Sequence, residues 1–360
     1  MNSANASAPA PGAKAGPVFS CNEWDPLEEV VLGTALGAQV PRPDKNLHCI
    51  SYANLSDPGQ IPSGPYPQWI IEEAEEDLEY IAQVLRQLGV TVRRPSPIDF
   101  RKLIRTRRWE TDGFYNYCPR DLHLVVENRI IEAPMTLRSR QFESEAYAPL
   151  FREYLKGGAA WITAPKPFLE DDDFDRTNLA ESTLRDLEPV FDAANIIRCG
   201  RDLFFLISNT GNELGRVWLQ NVLGPQFRVH AAANVYSHCH VDSTICVLRP
   251  GLVLLNPERV TEENLPAPLR KWDRLWAPTP VDIGFAEHYN HASVWISVNL
   301  LSVSPDTVIV ESRQTNLIKL LEGLKFTVIP ARMRHARTLG GGPHCCTLDV
   351  RRRGSLESYF

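Results

Sequence analysis

The sequence predicts an α/β fold, a closed, propeller-like array of five repeated hairpin-helix-strand units. Three observations lead there. Five segments carry apolar residues near a 3.6 period and recur at broadly similar intervals. Four of them run into a glycine or another breaker and then a short extended stretch. Between these units lie apolar strand pairs joined by polar turns.

The helices are expected at 69–88 (WIIEEAEEDLEYIAQVLRQL), about 142–156, about 211–222, about 261–272 and 314–323 (QTNLIKLLEG). The extended runs that follow are GVTVRRP (89–95), GAAWITAP (158–165), GPQFRVH (224–230) and LKFTVIP (324–330). Strand pairs are read in LHLVVENRIIEAP (122–134), DAANIIRCGRDLFFLIS (192–208), ICVLRPGLVLLNP (245–257) and LLSVSPDTVIVES (300–312), with a further hairpin-like segment at 28–33 (EEVVLG). A last strand, TLDVRRR (347–353), can close the array against its beginning. An open α/β sheet is the commoner arrangement for such a composition. No GxGxxG or P-loop follows any strand, however, and the hairpins call for antiparallel pairing.

Composition narrows the function. At 360 residues, 43% hydrophobic and 23% charged, the chain has enough apolar material for a large core and is not disordered throughout. A net charge of -6 offers no surplus of cations for a phosphate backbone, so nucleic acid is not an expected partner. Apolar stretches such as 245–255 are broken by Arg249, Pro250 and Gly251, so no membrane span is expected. Eight cysteines, Cys345 and Cys346 adjacent, are too sparse for a disulfide framework and point to reduced thiols in the cytoplasm. The Ala-, Pro-, Gly- and Ser-rich start lacks the pattern of a secretory signal. Residues 1–19 are therefore expected to form a flexible tail ahead of a single domain over 20–360.

Chemistry concentrates in LGGGPHCCT (339–347) and SHCHVDST (237–244). Three glycines let the backbone take positive φ and approach a ligand closely, which suits a nucleophile loop. A thiol there becomes a thiolate if cationic groups lower its pKa. Read as the start of a strand, 237–244 puts His238, His240 and Asp242 on one face. Two chemistries fit: zinc held by His238, His240, Asp242 and one of the 345–346 thiols, or cysteine catalysis with an imidazole acid/base and carboxylates for a cationic substrate. Asp121 and Asp192, each beside a strand, are the further acids, because a buried acid is costly unless paired.

Together the motifs become specific. The order CPRD (118–121), FDAAN (191–195), HVD (240–242), NPERV (256–260), SVWISVN (293–299) and GGGPHC (340–345) resembles the arginine amidinotransferase family. The phrases NEWDPLEEVVLG (22–33), WETDGFYNYCPRD (109–121), EAPMTLRSR (132–140), VDIGF (281–285) and TLDVRRRGSLESY (347–359) are similar to its inosamine-phosphate branch. The resemblance spans about residues 20 to 360. It implies a five-bladed, pentein-like α/β propeller, with Cys345 as nucleophile, His240 as acid/base and Asp192 orienting the imidazole. By the same resemblance Asp121 and Asp242 hold the guanidinium, Arg259 binds the carboxylate of arginine and Ser293 adds a contact to the donor. Ala292 departs from the pattern, standing where the glycine-using branch has a second serine.

No cofactor and no metal are implied. The expected partners are L-arginine and a small amine acceptor, by branch resemblance a phosphorylated aminocyclitol of the kind used in streptomycin-like aminoglycosides, within a possible homodimer. Cationic groups for its phosphate are available in RTRRWE (105–110) and LRSR (137–140). The competing readings are a glycine-type or other amine acceptor, an arginine deiminase-like hydrolase using water, and a non-catalytic arginine-binding protein.

Overall fold

A computed structural model describes residues 16–177, 181–289 and 292–360. Fifteen strands build five three-stranded sheets of one design. The first sheet contains β1 (Leu27–Leu32) and β2 (Thr91–Arg93). The second is β3 (His123–Val126), β4 (Arg129–Glu132) and β5 (Ala160–Thr163). The third is β6 (Ile196–Cys199), β7 (Asp202–Leu206) and β8 (Arg228–Ala232). The fourth is β9 (Ile245–Arg249), β10 (Leu252–Leu255) and β11 (Asp273–Trp276), and the fifth β12 (Leu301–Ser304), β13 (Thr307–Glu311) and β14 (Thr327–Ala331). The last strand, β15 (Thr347–Arg352), returns to the first sheet.

In every sheet an inner strand pairs antiparallel with the middle strand, which pairs parallel with an outer one. In four of the five sheets a two-residue turn makes the hairpin; a parallel partner needs a crossover, and in four of the five a helix supplies it. Val30 of β1 faces Asp349 of β15 on one side and Val92 of β2 on the other, so chain start and chain end share a sheet and close the five-bladed α/β propeller. The segment at 28–33 is thus a middle strand whose hairpin partner lies at the far end of the chain, the closure anticipated from 347–353.

The crossover helices are α1 (Gln68–Gln87), α2 (Ala148–Lys156), α3 (Glu213–Leu223) and α4 (Thr315–Gly323). In α1 the apolar stripe Ile70, Ile71, Ala74, Leu78, Ile81, Ala82 and Leu85 is buried. Each large aliphatic on it contributes about 1.5–3 kcal/mol. Gly89, at φ 82, ends the helix, with its own N–H on Arg86 O and that of Val90 on Leu85 O.

The helix expected at about 261–272 is a correction: only a short 3-10 turn, Ala267–Lys271, forms there. Pro266 and Pro268 in LPAPLRK remove N–H donors, and a proline ring in a helix interior clashes with the carbonyl four residues back. The fourth blade therefore crosses over through loop structure. The helix expected from about 142 begins at Ala148, after a 3-10 turn at Glu143–Ala146.

The inner strands surround an axis filled by charge as well as by aliphatics. Arg198 of β6 donates to Glu23, to Asp349 of β15 and to the Val125 carbonyl of β3, while Arg352 of β15 reaches Asp349 and the Ser302 carbonyl of β12. These bonds tie four of the five sheets together across positions where water is excluded. Truncating one partner would leave a buried charge unpaired, at about 3–5 kcal/mol. Of the expected N-terminal tail, residues 1–15 lie outside the described residues; Val18 is buried and the Phe19 N–H donates to Val350 O. No helix among the described residues is long and apolar enough to cross a membrane.

Candidate active site

The propeller explains why residues far apart in sequence converge. Each inner strand is entered through a loop, and the five loops lie at equivalent positions round the axis. Asp121 precedes β3, Asp192 precedes β6, His240 and Asp242 precede β9, the turn Val294–Val298 precedes β12, and Cys345 precedes β15.

Cys345 is fully buried. Its Sγ–H donates to Asp242 Oδ2 at 3.1 Å, and its sulfur accepts the Asn299 Nδ2–H at 3.1 Å. Asn299 Oδ1 also accepts the backbone N–H of Cys345 at 3.0 Å, so one amide fixes both ends of the residue. The neighbours raise the thiol pKa well above its usual value: a bond with the Cys118 thiol first, then burial, then the Asp242 carboxylate. No cation is among the leading causes that set it, and a cationic ligand would favour the thiolate.

Of the three glycines only Gly340 takes positive φ, 74°. Gly341 and Gly342 are needed for close approach to protein rather than to a ligand. A Cβ on Gly341 would lie 2.5 Å from Cys118 Sγ, and one on Gly342 2.8 Å from Asn299 Oδ1. Gly341→Ala is expected to destabilise the fold by about 1–3 kcal/mol through overpacking. An unchanged urea midpoint would contradict this.

His240 sits between acids. Its Nε2 bonds Asp192 Oδ2 at 3.1 Å and its Nδ1 lies 3.5 Å from Asp121 Oδ1. Burial works against the imidazolium, but Asp121, Asp192 and Asp242 outweigh it and raise the pKa to about 9. Asp192 is itself pinned, its Oδ1 accepting the Thr136 N–H and Oγ1–H, each at 2.9 Å. The tautomer and tilt of the imidazole are thereby set by a carboxylate that cannot swing.

Asp121 is buried, accepts from Arg140 NH1 at 2.7 Å through Oδ2, and has no hydrogen-bond partner on Oδ1. Burial pushes its pKa up, against the pull of His240 and Arg140. Arg140 is held in turn by Glu143, whose own pKa burial pushes up to about 7. Asp242 is the opposite case. Burial would raise it, yet the His344 bond at 3.0 Å, with help from His240 and Cys345, holds it at about 2. Two carboxylates of unlike character thus flank the thiol, one of them with an open lone pair. An arrangement of this kind suits a planar cation with several N–H donors.

Arg259 stands behind this centre. Its NH1 bonds Ser243 Oγ and Thr244 Oγ1, its guanidinium lies 3.7 Å over the Tyr236 ring, and it forms no ion pair among the described residues. Ser293 caps the turn Val294–Val298, and Trp295 Nε1 donates to Glu258 Oε2, joining this turn to the loop that carries Arg259. Neither Arg259 nor Ser293 bonds the thiol.

Residues 237–244 are not the start of a strand: they are bends followed by a 3-10 turn at Val241–Ser243, and β9 begins at Ile245. Alternation therefore does not explain the site. His240, at φ 10 and ψ 139, turns its ring to Asp192 while His238 lies against Tyr236, so the zinc set of His238, His240, Asp242 and a thiol does not assemble. Four of the five arginines in the two basic runs are engaged elsewhere. Arg138 and Arg140 are buried in ion pairs with Asp44, Asp171, Asp121 and Glu143, and Arg105 and Arg108 pair on the surface with Glu110 and Glu170. Sequence reasoning gave no role to Asn299, Thr136, His344 or Cys118, and offered Arg140 only as a cation for a phosphate. Asn299 closes SVWISVN and Thr136 lies in EAPMTLRSR, so both stood in motifs already singled out.

No protein-family model matches the chain. Inosamine-phosphate amidinotransferase 1 of Streptomyces glaucescens is 52% identical over 339 residues, 94% of this chain and 97% of that protein. The solved structure of an inosamine-phosphate amidinotransferase from Streptomyces griseus superposes with a TM-score of 0.94 at 53% identity, covering 96% of this chain and 99% of the other. The mitochondrial glycine amidinotransferase of Gallus gallus is 38% identical, over 98% of this chain and 87% of its own length.

Proposed function

The chain belongs to the arginine amidinotransferase family, and we propose that it moves the amidino group of L-arginine through Cys345 to an amine of an inosamine phosphate. The observation that carries this is the buried Cys345 thiol between Asp121, with its unpartnered Oδ1, and Asp242, with His240 alongside. Asp121 and Asp242 accept forked N–H donors from the guanidinium and fix its carbon before the sulfur. Arg259, without an ion-pair partner among the described residues, takes the carboxylate of arginine, and Ser293 contacts the same end.

Binding brings in the positive charge that the thiol lacks. The Cys345 thiol releases its proton to solvent, sulfur attacks the guanidinium carbon, and a carbon–sulfur bond forms. As the carbon–nitrogen bond to the side chain breaks, His240 gives its proton to the departing amine. Ornithine departs and an amidino-cysteine remains. An acceptor amine takes its place, His240 removes a proton from it, and nitrogen displaces sulfur as a thiolate to give the new guanidine; the thiolate takes up a proton from solvent to restore the Cys345 thiol. Asp192 keeps the imidazole aimed throughout and stabilises its charged form.

The inosamine phosphate is proposed from the two Streptomyces relatives, whose identity to this chain exceeds that of the glycine enzyme, and from Ala292. The test is intact-protein mass spectrometry after mixing with arginine alone and quenching in acid. An amidino-sized gain with one equivalent of ornithine is expected; neither product would remove arginine as donor. Turnover with scyllo-inosamine phosphate but not glycine or lysine is expected, in parallel initial-velocity lines, and a preference for glycine would overturn the acceptor. Arg259→Ala is expected to raise KM for arginine roughly 10- to 100-fold, the loss of a charge-assisted bond of about 1.5–3 kcal/mol, with a smaller change in kcat. An unchanged KM would place the carboxylate elsewhere.

A further inference from the structure

Cys118 is a buried thiol beside the nucleophile to which the transfer chemistry gives no task. Its sulfur, the Cys345 sulfur and a carboxylate oxygen of Asp121 all lie within 4.8 Å of one another, and among the described residues no other three His, Cys, Asp or Glu side chains converge so closely. A further fact points the same way. Asp121 Oδ1 is buried and, among the described residues, has no hydrogen-bond partner.

Tetrahedral zinc takes sulfur at about 2.3 Å and oxygen or nitrogen at about 2.0–2.2 Å, which spaces the ligands roughly 3.5–3.8 Å apart. Contraction by about 1 Å from the present limit closes such a shell. Two sulfurs and one carboxylate, with the fourth position left to water, select a soft or borderline ion over magnesium or calcium, which require oxygen ligands.

We propose that the donor-free enzyme binds one zinc-like divalent cation through Cys118, Cys345 and Asp121, and that this cation and arginine exclude each other. Each thiol releases a proton to solvent as its sulfur–metal bond forms, and no electrons are transferred. The bound ion is inhibitory, because it occupies the nucleophile and the carboxylate that would hold the guanidinium. The exclusion by arginine rests on the proposed function, whereas the metal site rests on the ligand geometry.

The test uses the reduced, metal-free full chain and cobalt(II) as an optical probe, with zinc as competitor. One equivalent of cobalt is expected to give a thiolate charge-transfer band that zinc abolishes and arginine bleaches. Zinc affinity should fall at least tenfold in Cys118→Ser and in Cys118→Ala, two variants of different polarity. Equal zinc affinity in a folded Cys118 variant would overturn the proposal, as would undiminished cobalt absorption at saturating arginine in enzyme that forms the arginine adduct. Should arginine form no adduct while the band still depends on Cys118, the metal site stands and the choice of donor falls.

Discussion

Cys345→Ala is expected to show no mass gain with arginine, to release no ornithine and to lose about 10⁴-fold or more in kcat, the scale of removing a covalent nucleophile from a coupled catalytic set. Three features make this the largest single loss. The intermediate has no other place to form, because Cys118 and Cys346 are buried and neither accepts the Asn299 amide bond that positions Cys345. The neighbouring carboxylate, Asp242, is held at about 2 and stays an anion at any working pH, where it orients the guanidinium rather than attacking it. And alanine keeps the backbone bond to Asn299 Oδ1, so the fold and arginine binding are expected to persist. Adduct formation in this variant, mapped to another residue, would refute the assignment of the nucleophile.

The architecture was legible because its signals are local. An apolar run on either side of a polar turn specifies each hairpin, and a 3.6 period followed by glycine specifies α1 and its stop. The fourth crossover was misread for a local reason too: its apolar spacing is helical, but two prolines veto the hydrogen bonds that such spacing needs. The loops round the axis are a different matter. His240 and Asp242 do meet at one site, yet through bends and a 3-10 turn rather than through a strand, so a correct pairing followed from an incorrect local structure. Asn299, Thr136 and His344 act by holding other groups, and their partners lie 46, 56 and 102 positions away. No periodicity carries that information, because it exists only once the propeller closes.

The unfavourable state of the empty site is the central physical feature of the mechanism. Asp121, Asp192 and Asp242 keep a proton on the His240 imidazole, while the Cys118 thiol, burial and the Asp242 and Asp121 carboxylates keep one on Cys345. A guanidinium entering between them reverses the balance, favouring the thiolate and easing proton release from His240. The site therefore reaches its reactive state only when a cation of the right shape fills it. The same excess of negative charge accounts for the attraction of a divalent metal to the empty centre.

Asp192→Asn tests this balance through pH. In the free enzyme below about 9, His240 is charged and Cys345 is a thiol, two protons on the pair. Attack by sulfur needs one of them gone, whichever group gives it up. The value of kcat/KM for arginine, which reports the free enzyme, is therefore expected to rise with pH and to level off near 9. Removing the Asp192 charge disfavours the imidazolium, so its pKa falls and the rising limb moves to lower pH. The plateau falls as well, by about 10²–10⁴-fold, because an amide no longer fixes the tautomer that hands a proton to the leaving amine. The two effects have opposite consequences near neutrality, and the deficit should be smaller there than at the plateau. A variant whose limb stays near 9 while its plateau drops would show that Asp192 orients His240 without setting its charge; a limb shifted upward would be incompatible with the carboxylate raising that pKa at all.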